Sequence, residues 1–211
     1  MHCIIQQLVD TSDKNIHALR MFYIIGLGNP GNEYSRSRHN TGRMAVSKLA
    51  SDLDLPDFEF DKKSNALVAK NKKVTCILPE TFMNKSGQSA GYFIKSKKAA
   101  ENLIVVYDEI DLPLGTLKIV FNRGSGGHKG LESVVRAVKT KEFTRVRIGV
   151  SPSTASGKTK KPQGEEKMLN FILGSFKPTE EADLKKVLKK TSEAIQMMIE
   201  EGREKAMNEY N

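Results

Sequence analysis

The sequence predicts an α/β fold, a single domain in which a twisted mixed β-sheet is flanked by helices. Three observations lead there. Short apolar runs rich in β-branched and aromatic residues alternate with segments of helical periodicity. One pair of runs, Ala66–Ala69 and Val74–Leu78, flanks the polar stretch Lys70-Asn71-Lys72-Lys73 and reads as a β-hairpin. The most apolar run, Leu103-Ile104-Val105-Val106-Tyr107, has the composition of a central strand buried on both faces. Strands mixed with helices, and a hairpin among them, make the sheet mixed.

The elements follow in order. Residues 1–20 show no sustained period and no h-region, and Asp10 and Asp13 argue against a transit peptide. They read as a non-catalytic extension, so His2 and His17 are discounted, and residues 21–211 form the catalytic domain. Phe22-Tyr23-Ile24-Ile25 is a buried strand, broken by Gly26, Gly28, Pro30 and Gly31. Thr41 suits the N-cap of a helix from about Arg43 to Leu53, where Met44, Val46, Leu49 and Leu53 recur at helical spacing. After Pro79 the chain turns into a helix from Asn84 or Ser86 to about Ser96, with Phe82 and Met83 reading as core. Asp108 ends the central strand, Asp111 is turn-forming, and Pro113 and Gly115 turn into a strand Thr116–Phe121. A glycine-rich loop, Gly124–Gly130, leads to a helix from Leu131 to about Val138, and Arg145–Val150 is a further strand. Residues 151–167 read as a mobile polar and basic surface loop, and Leu169–Leu173 as a short apolar piece. The last helix runs from Glu180 to about Glu201, with the face around Lys185, Lys186, Lys189 and Lys190 solvated.

A chain of 211 residues, 38% hydrophobic and 28% charged, suits one soluble domain with a substantial core. No apolar stretch is long enough to cross a bilayer. The formal charge of +9 without an evident basic tail points first to a nucleic acid partner. Cys3 and Cys76 read as free thiols in a reducing compartment.

Two residues capable of chemistry, Asn29 and His39, lie in the loop that follows the first strand, where an open α/β sheet puts its ligand. Within residues 21–211, His39 and His128 are the only histidines, so a neutral-pH base has few sources. Asp108, a carboxylate ending a buried strand, suits holding an imidazole in one tautomer. Without a G-x-S-x-G elbow, a His–Asp couple suggests base-activated water rather than a nucleophilic side chain. Cys76 reads as a packed thiol. Gly26-Leu27-Gly28-Asn29-Pro30-Gly31 matches the dinucleotide pattern, but Pro30 and a polar stretch to Asn40 stand where the phosphate-binding helix should start. Ser156-Gly157-Lys158-Thr159 lacks the rest of a Walker motif, and no cluster has metal-ligand spacing.

Five segments in order then carry a family resemblance: GLGNPGNEYSRSRHNTG from Gly26, PETFMNKSGQS at 79–89, DEIDLPLG at 108–115, GGHKGLESV at 126–134 and FTRVRIGV at 143–150. Together they resemble the bacterial-type peptidyl-tRNA hydrolases from about Met21 to the last helix, which implies that family's three-layer sandwich. The resemblance implies cleavage of the ester between a peptide and the terminal ribose of tRNA, recycling tRNA from stalled translation. On that pattern His39 is the general base, Asp108 orients and polarises it, and Asn29 holds the substrate and the developing tetrahedral centre. Asn84 would bind the peptide main chain, with Met83 lining the cleft, and Tyr34 would contact the terminal nucleotide or ribose. Lys118 and Arg147 match positions that grip tRNA phosphates, and Lys158, Lys160 and Lys161 would add a salt-sensitive term. No metal and no cofactor is implied. The partner is peptidyl-tRNA, with no membrane and no obligate protein partner, and the protein is expected to be a cytoplasmic monomer.

Some residues keep two readings. His128 reads equally as a residue behind the site, at the rim where substrate binds, and as a structural one. Asn84 also suits an N-cap. The family usually carries an amide where this chain has Lys129, which would offer a cation to the ester carbonyl or to phosphate instead. Val120 stands where a second basic residue is common, with Arg123 the nearest replacement. Two other classes are weighed: an RNA-binding descendant that has lost catalysis, and a nucleotide-dependent oxidoreductase. Asn29, His39, Asn84 and Asp108 together favour the hydrolase.

Overall fold

Ile24 and Ile25 of strand β1 (Phe22–Gly26) point to opposite faces of the sheet and are both completely buried, so the sheet needs a helical layer on each side. The structure, a computed structural model, describes residues 20–154 and 159–211. Residues 1–19, with Cys3, His2 and His17, and the segment 155–158, with Lys158, lie outside the described residues.

The other strands are β2 (Glu59–Asp61), β3 (Ala66–Lys70), β4 (Val74–Pro79), β5 (Leu103–Pro113), β6 (Leu117–Phe121) and β7 (Thr144–Ser151). They form one seven-stranded sheet in the order β2-β3-β4-β1-β5-β7-β6. The four inner strands β4, β1, β5 and β7 are parallel, and antiparallel strands flank them on both sides. The helices are α1 (Thr41–Asp52), α2 (Gly87–Phe93), α3 (Lys97–Ala100), α4 (Lys129–Val138), α5 (Glu165–Leu173), α6 (Glu181–Glu201) and α7 (Arg203–Tyr210). Ile24, Ile104, Val106 and Ile148 pack against Val46 and Leu49 of α1 and Leu184, Val187 and Ile195 of α6. Ile25, Ile77, Val105 and Tyr107 pack against Ala90 of α2 and Leu131, Val134 and Val138 of α4. The result is the three-layer α/β sandwich with a mixed sheet.

The chain leaves β1 for β4 on one side and returns to β5 on the other, so a topological switch point lies at the C-terminal end of β1. Gly26, the last residue of β1, pairs with Val106, while β5 runs on through Asp108. A cleft therefore opens above β1, walled by the continuing β5. Gly42 brings α1 down onto this cleft, because any Cβ there would collide with the carbonyl oxygens of Val106 and Leu27.

Several expectations need correction. Thr41 is the first residue of α1 rather than its cap, and its hydroxyl donates to the Arg38 carbonyl at 2.6 Å. Asn84 and Ser86 cap nothing through their side chains; a 3₁₀ turn at Met83–Lys85 precedes α2, which ends at Phe93. Phe82 is 59% exposed rather than core. Asp108 does not end β5, which continues to Pro113 and includes Asp111, because pairing with β7 carries the strand past the end of β1. Ser151 belongs to β7 and residues 165–167 to α5, so the predicted loop 151–167 is shorter at both ends. Beyond Glu201, Gly202 at φ 94° breaks the helix and α7 follows. The short strand β2 had no apolar run to announce it.

Candidate active site

The loop after β1 is locked by one side chain. Asn40 accepts the backbone N–H of Asn29 through Oδ1 at 2.8 Å and donates Nδ2 to the Asn29 carbonyl at 2.9 Å. With its main chain held, Asn29 turns its own Oδ1 to the N–H of Met83 at 2.8 Å, tying this loop to the one after β4. Its Nδ2 has no partner among the described residues. A 3₁₀ turn, Arg38–Asn40, then sets His39 over β5.

There His39 Nδ1 lies 2.9 and 3.0 Å from the two Asp108 oxygens. His128 Nε2 reaches the same carboxylate, 3.1 Å from Oδ1. His128 is also the N-cap of α4, and its Nδ1 accepts the Leu131 N–H at 3.2 Å. That bond assigns its tautomer: Nδ1 is the acceptor, so Nε2 carries the proton and donates to Asp108. The acceptor-only Asp108 carboxylate likewise accepts a hydrogen bond from His39 Nδ1–H, which leaves His39 Nε2 with a free lone pair. Tyr107 backs the His128 ring at 4.8 Å between centroids.

All three side chains are largely buried, and their charges answer one another. Burial pulls His39 down, but the Asp108 charge and hydrogen bond outweigh it and hold the imidazole above its ordinary value. Burial pushes Asp108 up, yet the two imidazoles hold its carboxyl well below the usual carboxylate range. Asp108 is thus an anion at neutral pH and His39 a base strengthened by it. His39, Asp108 and His128 are also the one described set of three ligand types close enough to share a metal ion. His39 Nδ1, the Asp108 oxygens and His128 Nε2 are spent on each other, and the Leu131 bond keeps a proton on His128 Nε2, so the donor set fits a hydrogen-bonded trio rather than a metal centre.

These residues floor a cavity of about 250 Å³. The loop Ser125–Gly127 forms one side, Ile110 with Met168, Leu169 and Ile172 of α5 an apolar wall, and Glu109, Lys129 and Glu165 a charged rim. Such a pocket combines apolar contact area with a few convergent polar groups. The α5 wall went unread in the sequence; its signal was an apolar stripe at i, i+1 and i+4 on a helix with no buried residue of its own.

Not every expected residue shares this cavity. Lys129 is at the rim, its side chain 72% exposed and its Nζ 3.9 Å from Glu165. Asn29, Tyr34, Met83 and Asn84 do not line it. Met83 is buried in the core, pressed against Gly130 in the first turn of α4, so it supports the site from beneath. Asn84 is exposed on the neighbouring 3₁₀ turn and Tyr34 is half-buried on another, Asn32–Tyr34. The turns Asn32–Tyr34 and Arg38–Asn40 occupy residues between the glycines and α1, so the dinucleotide pattern does not run directly into a helix. Lys118 and Arg147 are cross-strand partners; Lys118 is exposed, while Arg147 is held by Glu109 at 2.8 Å. Lys160 is exposed and Lys161 pairs with Asp111 at 2.6 Å.

Comparison with known proteins agrees on one family. A family model described as peptidyl-tRNA hydrolase matches residues 23–211. The peptidyl-tRNA hydrolase of Syntrophotalea carbinolica is 37% identical over 194 residues, 90% of this chain and 97% of that protein. That of Mycobacterium tuberculosis is 37% identical over 190 residues, 88% and 94% of the two chains. Among solved structures, the crystal structure of peptidyl-tRNA hydrolase from Acinetobacter baumannii superposes with a TM-score of 0.80 at 28% identity, covering 90% of this chain and 94% of that one.

Proposed function

Because the chain belongs to the peptidyl-tRNA hydrolase family, we propose that it cleaves the ester between a peptide and the 3′-terminal ribose of tRNA with water activated by His39. The observation that carries this is the direction of the proton on His39: Asp108 binds Nδ1, and Nε2 is left to take a proton from water. Hydroxide adds to the ester carbonyl carbon, and the tetrahedral intermediate collapses with the ribose oxygen as leaving group. That oxygen recovers the proton from His39, giving free tRNA and a peptide carboxylic acid that loses its proton to solvent. Base catalysis of this kind is worth roughly 10²–10⁴-fold. Orientation and oxyanion donors supply further acceleration.

The other roles follow from chemistry and position. Asn29 offers its unpartnered Nδ2 to the substrate and the developing oxyanion, and Asp108 and His128 hold the base in place. Asn84, on the turn bonded to Asn29, meets the peptide main chain, and Tyr34, on the turn that follows Asn29 in the chain, meets the terminal nucleotide. Met83 aligns that turn through its bond to Asn29. Lys129 at the rim and exposed Lys118, beside Arg147, meet phosphates, a contact indifferent to sequence. The protein acts as a cytoplasmic monomer on this reading. The edge strand β6 supports it, since the Asn211 side chain closes the backbone of Ile119 with bonds of 2.7 and 3.0 Å. No described helix is long and apolar enough to cross a membrane.

The test is release of an N-acetylated amino acid from its tRNA. The wild type cleaves it, His39→Ala abolishes cleavage, and Asp108→Ala reduces it strongly. A folded wild type that binds tRNA without cleaving it sinks the proposal and leaves an RNA-binding protein.

A further inference from the structure

Arg38, next to the base, is buried although it carries a charge, and several of its contacts lead to α5 and the residues just beyond it. Its side chain is 4% exposed. The guanidinium lies between the rings of Phe171 and Phe176, 4.6 Å from each centroid. Its Nη2 donates to Glu180 at 2.7 Å and its Nη1 to the Val150 carbonyl at 3.3 Å. Its backbone N–H donates to the carbonyl of Gly174 at 3.0 Å, just beyond α5. The neighbouring Ser37 bridges Ser175.

Helix α5 needs this attachment. None of its residues is buried, and Phe171 is the one that packs against the core. Phe171 faces Arg38, while Met168, Leu169 and Ile172 face the cavity. At the other end, among the described residues, the helix has the exposed pair of Glu165 with Lys129. One buried cation therefore connects the apolar wall to the turn that carries His39.

We propose that Arg38 is a positioning residue: through the Phe171–Phe176 sandwich it sets the apolar wall of α5 at a fixed distance from His39, so that a side chain lying on the wall brings its ester carbonyl to the base. The proposal rests on the hydrolase reading above and assigns the wall to an apolar side chain of the acyl group. A planar cation is required, because two ring faces and two acceptors must be met by one group.

The experiment compares cleavage of N-acetyl-leucyl-tRNA and N-acetyl-glycyl-tRNA by the wild type, Arg38→Met, Arg38→Lys and Phe171→Leu, with folding checked by circular dichroism. The wild type prefers the leucyl ester by about tenfold or more in kcat/KM, as befits an apolar contact. Arg38→Met and Phe171→Leu bring the ratio close to one, mainly through kcat for the leucyl ester, and Arg38→Lys restores little of it. If Arg38→Met does not fold, Phe171→Leu decides. An equal loss on both esters, an unchanged ratio, or a wild type without preference overturns the proposal. A folded wild type that cleaves neither ester overturns the hydrolase reading and this inference with it.

Discussion

Leu131 donates its backbone N–H to Nδ1 of His128 across 3.2 Å, and this bond decides what Asp108 receives. With Nδ1 occupied as an acceptor, Nε2 is the protonated nitrogen facing the carboxylate. Asp108 is thus shared between two imidazoles, only one of which retains a free lone pair.

Removing the second donor should be felt at the first. In His128→Ala, Asp108 keeps its charge but loses one hydrogen bond, and that charge bears more fully on His39. The expected loss in kcat is about 10- to 100-fold, the worth of a hydrogen bond to a charged group. The acid limb of the rate profile moves to higher pH, because the imidazolium of His39 is stabilised further. In His128→Gln an amide donor of similar reach recovers part of the rate. Equal rates and profiles in wild type and His128→Ala would show that His128 serves only α4.

The pH dependence has a definite sign. On the proposed mechanism the base works as neutral imidazole, and Asp108 holds His39 above its ordinary value. Activity therefore rises with pH through a midpoint above about 6.5. Asp108→Asn removes the charge that raises it, so burial prevails and the midpoint falls below that of the wild type. The rate at the plateau drops by about 10²–10⁴-fold as the tautomer and orientation are lost. A midpoint that does not move between the two proteins would mean that another group is titrating.

Asn40 should matter more than its distance from the chemistry suggests. Asn40→Ala frees both backbone groups of Asn29 inside a buried loop. Leaving them unpaired costs about 1–3 kcal/mol, readable as a lower denaturant midpoint at unchanged slope. Activity falls as well, because Asn29 is no longer aimed at Met83. A variant with wild-type midpoint and rate would show that the loop holds itself.

Lys129 at the cavity rim is exposed and paired only loosely, as expected of a group that meets a phosphate. Lys129→Asn should lower kcat/KM a few-fold and reduce the slope of log(kcat/KM) against log[salt] by about 0.7, one contact on a single strand. Glu165→Gln, which frees Lys129, should act in the opposite direction. An unchanged slope with a lower kcat would assign the cation to the ester carbonyl.

Much of this protein was legible along the chain. The strand, glycine turn and polar loop at 22–42 mark their own boundaries through composition, as do the hairpin and the apolar run from Leu103, since backbone preference and burial on two faces are local demands. Asn29, His39 and Asp108 stood out as chemistry-bearing groups in the loop after the first strand and beside the most apolar run. The partnerships did not. Asp108 meets His39 across 69 positions and His128 across 20 only because parallel pairing carries β5 beyond β1 while Gly42 lets α1 descend on it. Phe82 read as core alongside Met83, yet the turn at Met83–Lys85 buries Met83 and turns Phe82 outward. Nothing in the sequence set Arg38 apart, and α5 read as an apolar fragment. The sequence by itself determined the kinds of element, the family and the candidate base with its carboxylate. The tertiary structure alone decided which nitrogen is free, what walls the cavity and what holds that wall, because these depend on register and crossover between segments far apart in the chain.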